Sequence, residues 1–399
     1  MKELQMITNK QKNYCPAPFR QVCINPIGEL SPCCMINTEG FGKITDELNQ
    51  SVNSIQQTSK WQEFLNQHKQ EQMPEICEKS CGRHFPSEYH HQWAWSKSES
   101  WEDKTADIKR ADIAFSNLCN LTCTMCSSTF SSEWIKIKKK MGLTVNDTPW
   151  NFSIDQVIEL ANKLSTCDII NIKGGEPFFN PRFKIFLKEL ADKNTNIHLP
   201  ILTNGTIIDD EALTQLSRFT RTPTFCVSLE STNDKLYQLI RGGKYTFTDI
   251  KNNIAYVKNK FPKLIIKANY VLGSWNISNF TQDMNNLRNA GVVDCNILIV
   301  HHPYEQGIKV VGPKAREKWI LEFEQELLNY PSFYYTMTKG GIDEQLILNL
   351  RTLPFTPPDI KECVKECNTY IDIRRDNQGI DLKLYSILGV VPNYIGNME

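Results

Sequence analysis

The sequence predicts an α/β protein in which a partial (β/α)6 barrel lies between a cysteine-rich N-terminal module and a small C-terminal α+β region. Two observations predict this organisation. Between about residues 110 and 300, six short apolar runs alternate with amphipathic helical stretches. The 14 cysteines are grouped rather than evenly spread, which indicates metal binding. In such a barrel, reactive residues belong at the carboxyl ends of the strands.

The apolar runs are rich in Ile, Val, Leu or Phe and are bounded by polar residues, glycine or proline, as buried strands are. Residues 51–72 are expected to form a helix, and Pro181 is expected in the first turn of another. The clearest helix has Ser153 as its N-cap. Its apolar face is expected to contain Ile154, Val157, Ile158, Ala161 and Leu164. The predicted strands are 111–116, 168–173, 197–202, 224–229, 264–272 and 296–300.

The chain has 399 residues, which is enough for more than one domain. The predicted domains are the cysteine-rich module (residues 1–105), the barrel (106–302) and the C-terminal region (303–399). Lys plus Arg and Asp plus Glu both number 45, so the charge balance gives no footprint for nucleic acid or an anionic membrane, and neither is an expected partner. The basic run 136–140 is interpreted as a solvated helix face.

The cellular compartment is inferred from the absence of a membrane-spanning segment and of a signal peptide in the sequence. No segment is apolar for long enough to span a bilayer, and residues 1–13 lack the hydrophobic core of a signal peptide. A cytoplasmic protein is therefore expected, and thiols are reduced in the cytoplasm. The isolated cysteines lie in apolar runs and are interpreted as small core residues. They are Cys167, Cys226 and Cys295.

Three cysteines form a tight triplet directly after the first predicted barrel strand. Cys119, Cys123 and Cys126 have the spacing C-x3-C-x2-C, with no fourth cysteine close by. Three thiolates can hold three irons of a [4Fe–4S] cubane and leave the fourth iron open to another ligand. A zinc site is the alternative, and it fits poorly because the triplet is accompanied neither by a second C-x2-C pair nor by a histidine.

This triplet resembles the signature of the radical S-adenosylmethionine (SAM) superfamily. The resemblance implies that SAM chelates the open iron and is cleaved by an electron from the cluster to methionine and a 5′-deoxyadenosyl radical, which abstracts a hydrogen atom from substrate. Family members commonly carry an aromatic residue before the last cysteine. Met125 stands there in this chain, and its thioether can pack against adenine.

The sequence Gly174-Gly175-Glu176-Pro177 follows the second predicted strand and is similar to the GGEP motif of the family. Glycines let the backbone approach a ligand closely. The resemblance implies that these four residues contact SAM, with the Glu176 carboxylate receiving an ammonium group.

Further motifs of the family follow in the same order along the chain. Thr203 and Asn204 come after the third predicted strand, while Ser228 and Glu230 end the fourth. The resemblance implies that their polar side chains contact SAM. It also places Arg241 where the family often has an arginine for the SAM carboxylate; the alternative is a basic residue at a helix C-terminus closed by the next glycine. Together these motifs span roughly residues 110 to 300.

The N-terminal cysteines resemble the auxiliary-cluster element of the SPASM/twitch subgroup, here placed before the barrel. The resemblance implies that Cys15, Cys33, Cys77 and Cys81 hold an auxiliary [4Fe–4S] cluster. Cys34 could replace Cys33, and a zinc knuckle with the same four thiolates stays open. Gly28 is the glycine of the element, and Cys23 is too close to it to be a ligand.

Two further pairs of residues each have two possible interpretations. Cys363 and Cys367 share one face if their segment is helical, and they are either members of a second auxiliary site, with Cys34 or Cys23, or spare surface thiols. His301 and His302 follow the last predicted strand; at most one would face a substrate, and a loop role is the alternative.

The resemblance implies an oxidoreductase-type radical SAM enzyme. SPASM/twitch relatives usually act on ribosomally made peptides or protein side chains, so a peptide is the first expected substrate, and a sugar or nucleotide is the second. Flavodoxin or ferredoxin is the expected electron donor. The alternative from another class is a non-catalytic metal-binding scaffold. The sequence names neither the exact substrate nor the bond that changes.

Overall fold

The computed structural model describes residues 17–34, 36, 41–44, 52–70, 72, 74–80, 107–140, 142–300, 306–330 and 333. Several residues singled out above lie outside this part of the chain. They are Cys15, Cys81, His301, His302, Cys363 and Cys367.

Strand and helix alternate along the described chain. The strands are β1 (Gln21–Ile24), β2 (Leu30–Ser31), β3 (Arg110–Ala114), β4 (Ile169–Lys173), β5 (Pro200–Thr203), β6 (Thr224–Ser228), β7 (Ile265–Leu272) and β8 (Asp294–Ile299). The helices are α1 (Ala17–Arg20), α2 (Ser59–Lys69), α3 (Glu75–Ser80), α4 (Ser132–Lys140), α5 (Ile154–Leu164), α6 (Phe183–Lys193), α7 (Asp210–Leu216), α8 (Asp234–Arg241), α9 (Phe247–Lys260), α10 (Phe280–Asn289) and α11 (Pro313–Asn329).

The chain divides into two compact units, each discontinuous in sequence. The first comprises Met1–Asn117, Trp150–Leu202 and Asp209–Pro223. The second comprises Leu118–Pro149, Thr203–Ile208 and Thr224–Glu399. Within the described residues, no helix is long and apolar enough to cross a membrane.

The first unit contains a mainly parallel sheet in the order β2-β1-β3-β4-β5. Strands β3 and β4 pair in parallel with Ile113 opposite Ile172, and β4 continues in parallel to β5. The cysteine-rich segment contributes a strand that the sequence analysis missed: β1 lies parallel to β3, with Cys23 opposite Asp112. Only β2 runs antiparallel to its neighbour.

The second unit contains three parallel strands in the order β6-β7-β8. Along β7, buried and half-buried residues alternate, which is the pattern of a strand with one face against helices. Each of the six predicted strands is present with bounds shifted by a few residues. The predicted α/β class, a mostly parallel sheet with helices between its strands, is therefore confirmed.

Local details correct some predictions. Ser153 does cap α5, with a full capping box to Gln156, but Ile154 is 51% exposed and does not join the apolar face. Helix α6 begins at Phe183, two residues after Pro181, because Pro181 lies in the turn that precedes it. The predicted helix 51–72 is a 3-10 turn (Val52–Gln57) followed by α2.

Candidate functional site

The cysteine loop, residues 118–131, follows β3 in the sequence and belongs to the second unit. Cys119 and Cys123 are buried together with Leu121, and Cys126 packs half-buried against them. The structure thus brings the three predicted thiols into one cluster. Met125 packs against this cluster and also against the cluster that contains Trp275, and its predicted contact with adenine stays a prediction.

Helix α4 fixes the loop from one side through side-chain hydrogen bonds to loop backbone. Ser131 Oγ donates to the Leu121 carbonyl at 2.8 Å, and Trp134 Nε1 donates to the Cys123 carbonyl at 2.9 Å. Ser132 Oγ lies 3.2 Å from both the backbone N–H and the carbonyl of Cys119. These buried hydrogen bonds hold the loop against α4.

The C-terminus of α8 fixes the loop from another side. The last carbonyls of a helix lack intrahelical partners. Here the backbone N–H of Thr124 donates to the Ile240 carbonyl at 2.8 Å, and that of Thr122 donates to the Arg241 carbonyl at 3.2 Å. Gly243, at φ 87°, lets the chain leave the helix against the loop, because a Cβ there would lie 2.9 Å from a Leu121 methyl.

Arg241 and Glu230 form a buried ion pair that reaches the cysteine loop. Arg241 Nη2 donates to Glu230 Oε1 at 2.6 Å, and its Nε contacts the other carboxylate oxygen. Arg241 Nη1 lies 3.5 Å from Cys123 Sγ. Burial raises the pKa of the Glu230 carboxyl to about 7, and the Arg241 charge opposes that shift. The guanidinium stays charged because arginine is effectively always protonated.

The Thr203-Asn204 loop is hydrogen-bonded to the cysteine loop within the same unit. Asn204 Nδ2 donates to Asn120 Oδ1 at 2.9 Å, and Asn120 Nδ2 donates to Thr206 Oγ1 at 2.9 Å. Thr206 closes the ring by donating to Asn204 Oδ1 from its hydroxyl and its backbone N–H. Thr203 Oγ1 accepts from the Gly205 backbone N–H at 3.0 Å, which fixes the turn.

The GGEP segment belongs to the first unit, where Gly174 and Gly175 have φ of 83° and 57°. A Cβ on Gly174 would lie 2.5 Å from the Ala114 Cβ, so the first glycine is required by packing against β3. Glu176 is fully buried, and its carboxylate accepts from the Phe178 backbone N–H at 3.1 Å at the start of the turn Pro177–Phe179.

A polar row crosses the strands of the second unit. Ser228 is half-buried at the end of β6 and pairs in register with Asn269, which pairs with Asn296. Asn296 Nδ2 donates to Asn269 Oδ1 at 3.1 Å. Sequence analysis found Ser228 only. The alternation of polar Lys267 and Asn269 between apolar residues on β7 was the signal for the rest.

Three N-terminal thiols converge in the first unit. The thiols of Cys23 and Cys33 hydrogen-bond to Cys34, and these bonds lower the pKa of Cys34 to about 2. The charges of Lys173 and Arg110 contribute to this lowering of the pKa, and burial opposes it. Both open choices, Cys33 and Cys34, are therefore close together, and Cys23 lies beside them although it was set aside as a ligand.

Cys77, the remaining described cysteine of the predicted auxiliary set, is buried on α3. Its Sγ lies 3.9 Å from Nε2 of the buried His68 on α2. Cys15 and Cys81 lie outside the described residues, so the full ligand set stays a prediction. Within the described residues, no three His, Cys, Asp or Glu side chains, those of Cys119, Cys123 and Cys126 included, are arranged as a metal site, so the ligands of both clusters stay predictions.

The chemistry of the triplet fits a cubane with an open iron. Burial and the neighbouring Cys123 raise the pKa of the Cys126 thiol to about 12, so metal binding must displace its proton. Cys119, Cys123 and Cys126 pack together, Arg241 lies beside Cys123 as a nearby cation, and the loop is hydrogen-bonded on several sides. The three residues supply the three thiolates that a cubane with an open iron requires, and they stay its predicted ligands.

Sequence analysis missed the residues that hold the loop in place. Asn120 lies between two cysteines, and its partners Asn204 and Thr206 are distant in sequence, so no local pattern pairs them. Ser131 and Ser132 do carry a local signal, because serines just before an amphipathic stretch are typical of a helix start.

Comparison with known proteins agrees with this geometry. The model of the radical SAM superfamily matches residues 113–287, and the model of an iron–sulfur cluster-binding domain, SPASM, matches residues 15–82. A curated relative is the antilisterial bacteriocin subtilosin biosynthesis protein AlbA of Bacillus subtilis (strain 168). It is 25% identical over 179 residues, which cover 44% of this chain and 37% of AlbA.

Solved structures with partial similarity include Streptococcus suis SuiB bound to SAM, at 14% identity and a TM-score of 0.43 over 58% of this chain and 50% of SuiB. Another is anSMEcpe with bound SAM, at 19% identity and a TM-score of 0.43 over 57% of this chain and 60% of that one. The chain thus spans well under two thirds of the lengths of AlbA, SuiB and anSMEcpe.

Proposed function

The chain belongs to the radical SAM superfamily, with a SPASM iron–sulfur domain before the barrel, and from this premise we propose that it cleaves SAM reductively and takes a hydrogen atom from a peptide or protein side chain. Membership assigns a catalytic [4Fe–4S] cluster, SAM and auxiliary iron–sulfur binding. When bound, the catalytic cluster supplies the electron that breaks SAM into methionine and a 5′-deoxyadenosyl radical.

One observation carries the proposal: the three cysteines pack together in a loop that is hydrogen-bonded from two helices. Cys119, Cys123 and Cys126 hold the cluster, and the hydrogen bonds from α4 and α8 fix the loop before iron arrives. A preorganised loop keeps the open coordination position in a constant place, which is what a bound cofactor needs for productive orientation.

Other residues of the chain are proposed to receive SAM. Glu176 offers a charge-assisted hydrogen bond to the SAM ammonium group, and the backbone around Gly174, Gly175 and Pro177 approaches the same end. Met125 packs against adenine. Thr203, Asn204 and Ser228 supply the remaining polar contacts.

We propose domain bounds of 1–105, 106–302 and 303–399, with the auxiliary cluster held by Cys15, Cys33, Cys77 and Cys81. The close approach of the Cys33 and Cys34 thiols supports an auxiliary site there. In this proposal the auxiliary cluster accepts an electron or positions the substrate.

A peptide is proposed as the substrate because AlbA is a biosynthesis protein of the bacteriocin subtilosin. The polar row Ser228, Asn269 and Asn296 supports this choice, since side-chain amides both donate to and accept from peptide groups. A flavodoxin or ferredoxin is proposed as the electron donor, and dithionite replaces it in an assay.

The activity is tested by changing Cys119, Cys123 and Cys126 to Ala together. Wild type reconstituted without oxygen should hold about eight irons in roughly two cubanes, and the triple variant about half of that. It should make no 5′-deoxyadenosine with dithionite. The buried thiol variant Cys295→Ala is the matched control and should keep both iron and activity. A triple variant that cleaves SAM at the wild-type rate contradicts the proposal.

The substrate class is tested with short peptides encoded beside the gene. Each is synthesised with deuterium at non-exchangeable carbon positions and incubated with the reduced enzyme and SAM. Deuterium in 5′-deoxyadenosine, read by mass spectrometry, together with a mass change in the peptide, supports a peptide substrate. Transfer only from a labelled sugar or nucleotide replaces the peptide with a small molecule.

A further inference from the structure

We propose that the buried Glu230–Arg241 pair sets the reduction potential of the catalytic cluster, with Arg241 as a positioning residue for the Cys123 thiolate and Glu230 as its counter-charge. This inference deepens the proposed function, because it rests on the cluster assigned to the cysteine loop. It does not depend on the identity of the substrate.

The guanidinium of Arg241 contacts both Glu230 and Cys123. Two edges of its guanidinium are engaged, because Nε and Nη2 meet the Glu230 carboxylate while Nη1 lies 3.5 Å from Cys123 Sγ. A guanidinium is planar and its donors point in fixed directions. The ion pair therefore fixes the nitrogen that faces the sulfur.

The backbone of Arg241 also contacts the cysteine loop. The Arg241 carbonyl accepts from Thr122 and the Ile240 carbonyl accepts from Thr124, so the chain on both sides of Cys123 is tied to the end of α8. Gly242, at φ 65°, ends the helix directly afterwards. Side chain and backbone of Arg241 thus hold the same cysteine, and the distance between its charge and the sulfur is fixed.

Burial makes these charges effective. Glu230 and Arg241 are 1% and 7% exposed, and charges screened little by water act more strongly on a neighbour than surface charges do. Reduction adds one negative charge to a cluster. A cation beside a cluster thiolate favours the reduced form, and an anion near it favours the oxidised form.

The experiment measures the midpoint potential of the catalytic cluster, without SAM, by EPR-monitored titration of the reconstituted enzyme at mildly alkaline pH. Its signal is the one missing in the triple cysteine variant. The variants are Arg241→Met, Glu230→Gln, the double variant, and Arg241→Lys. The paired control is Lys267→Met with Asp294→Asn, which removes an ion pair of the same unit that joins β7 to β8.

Opposite shifts are the expected result. Arg241→Met should lower the reduced fraction at a fixed potential by about tenfold, which is about 59 mV for one electron. Glu230→Gln should raise it, the double variant should fall between the two, and Arg241→Lys should stay near wild type because the charge is kept. The Lys267/Asp294 control should not move the potential.

Two outcomes would overturn the inference. One is an unchanged potential in Glu230→Gln and Arg241→Met alike with a weaker SAM affinity in the arginine variants, which makes Arg241 a SAM ligand. The other is loss of the cluster in every variant of the pair, Arg241→Lys included, which makes the pair structural. If Arg241→Met alone cannot be reconstituted, Glu230→Gln still must raise the potential. Failure of the proposed function shows separately, as wild type that makes no 5′-deoxyadenosine.

Discussion

Asn204 donates its side-chain amide to Asn120 at 2.9 Å, and so links the Thr203-Asn204 loop to the cysteine loop within one unit. Asn120 stands directly after Cys119. Its other end donates to Thr206, which in turn donates to Asn204, so three side chains satisfy one another. The Thr203-Asn204 loop thereby holds the cysteine loop through hydrogen bonds, in addition to the contact with SAM proposed for it.

The first prediction concerns this ring. Asn204→Ala leaves the buried Thr206 N–H without its acceptor and the Asn120 side-chain oxygen without its donor. The free energy of unfolding should therefore fall by about 1–3 kcal/mol. Urea unfolding of the anaerobic holoenzyme measures it. The control Gln325→Ala removes an exposed bond to Asn329 and should cost less than about 0.5 kcal/mol. An equal loss of unfolding free energy in the two variants would mean that the ring of hydrogen bonds does not stabilise the loop.

The second prediction separates packing from backbone conformation at Gly174. Its Cβ would lie 2.5 Å from the Ala114 Cβ, whereas a Cβ on Gly142 would meet nothing within 4 Å, and both glycines have positive φ. Gly174→Ala should therefore lower stability more than Gly142→Ala, by about 1–3 kcal/mol for the clash alone. Paired thermal and urea unfolding gives the difference. No difference would mean that β3 and the GGEP turn can separate without cost.

Strands, the triplet and the motif order were predictable because they depend on local pattern and spacing. The six apolar runs form six strands, and Ser153 caps its helix. Both features depend on residues that lie close together in the sequence, so a local pattern predicts them. Strand β1 was not predictable: its four residues include Gln21 and Cys23, and it becomes a strand by pairing with β3 far along the chain.

The candidate site shows the same division. Spacing alone predicts Cys119, Cys123 and Cys126 as cluster ligands, and the structure adds that the three residues pack together. The pairing of Glu230 with Arg241 could not be read from sequence, because it depends on how α8 returns to the end of β6. Each residue was predicted to contact SAM by itself, and the structure shows that the two contact each other and that Arg241 also contacts Cys123.

The third prediction tests Glu176 as a SAM ligand without disturbing its turn. Glu176→Gln keeps an oxygen that can accept from the Phe178 N–H but removes the charge offered to the SAM ammonium group. SAM affinity should fall by about 1.5–3 kcal/mol, on the order of tenfold to a hundredfold, while iron content stays at the wild-type level.

Glu176→Ala is the companion variant, because it loses both the charge and the acceptor of the turn. It should lose SAM affinity and stability together, whereas Glu176→Gln should lose affinity alone. Equilibrium binding of SAM at matched iron content decides the question. A dissociation constant unchanged in Glu176→Gln would leave this residue a role in the turn only.

The last prediction concerns the N-terminal module. Replacing Cys77 and Cys81 by Ala should remove the auxiliary cluster, so that the protein keeps about half of its iron. SAM cleavage with dithionite should survive in part, because the catalytic triplet lies in a different loop. Modification of the peptide substrate should fall sharply, since no auxiliary cluster is left to accept an electron or position the substrate. Cys167→Ala, at a buried cysteine outside the module's ligand set, should leave both clusters in place.

Other results for the double variant have distinct readouts. About one zinc per chain in aerobically purified wild type, with a single cubane after reconstitution, would identify a zinc knuckle and contradict the auxiliary cluster. Loss of folding, seen by circular dichroism, would show that metal binding stabilises the module. In that case Cys77→Ala alone is measured. Because Cys77 contacts the buried His68 on α2, a lost ligand there should change the auxiliary EPR signal while the signal of the triplet stays constant.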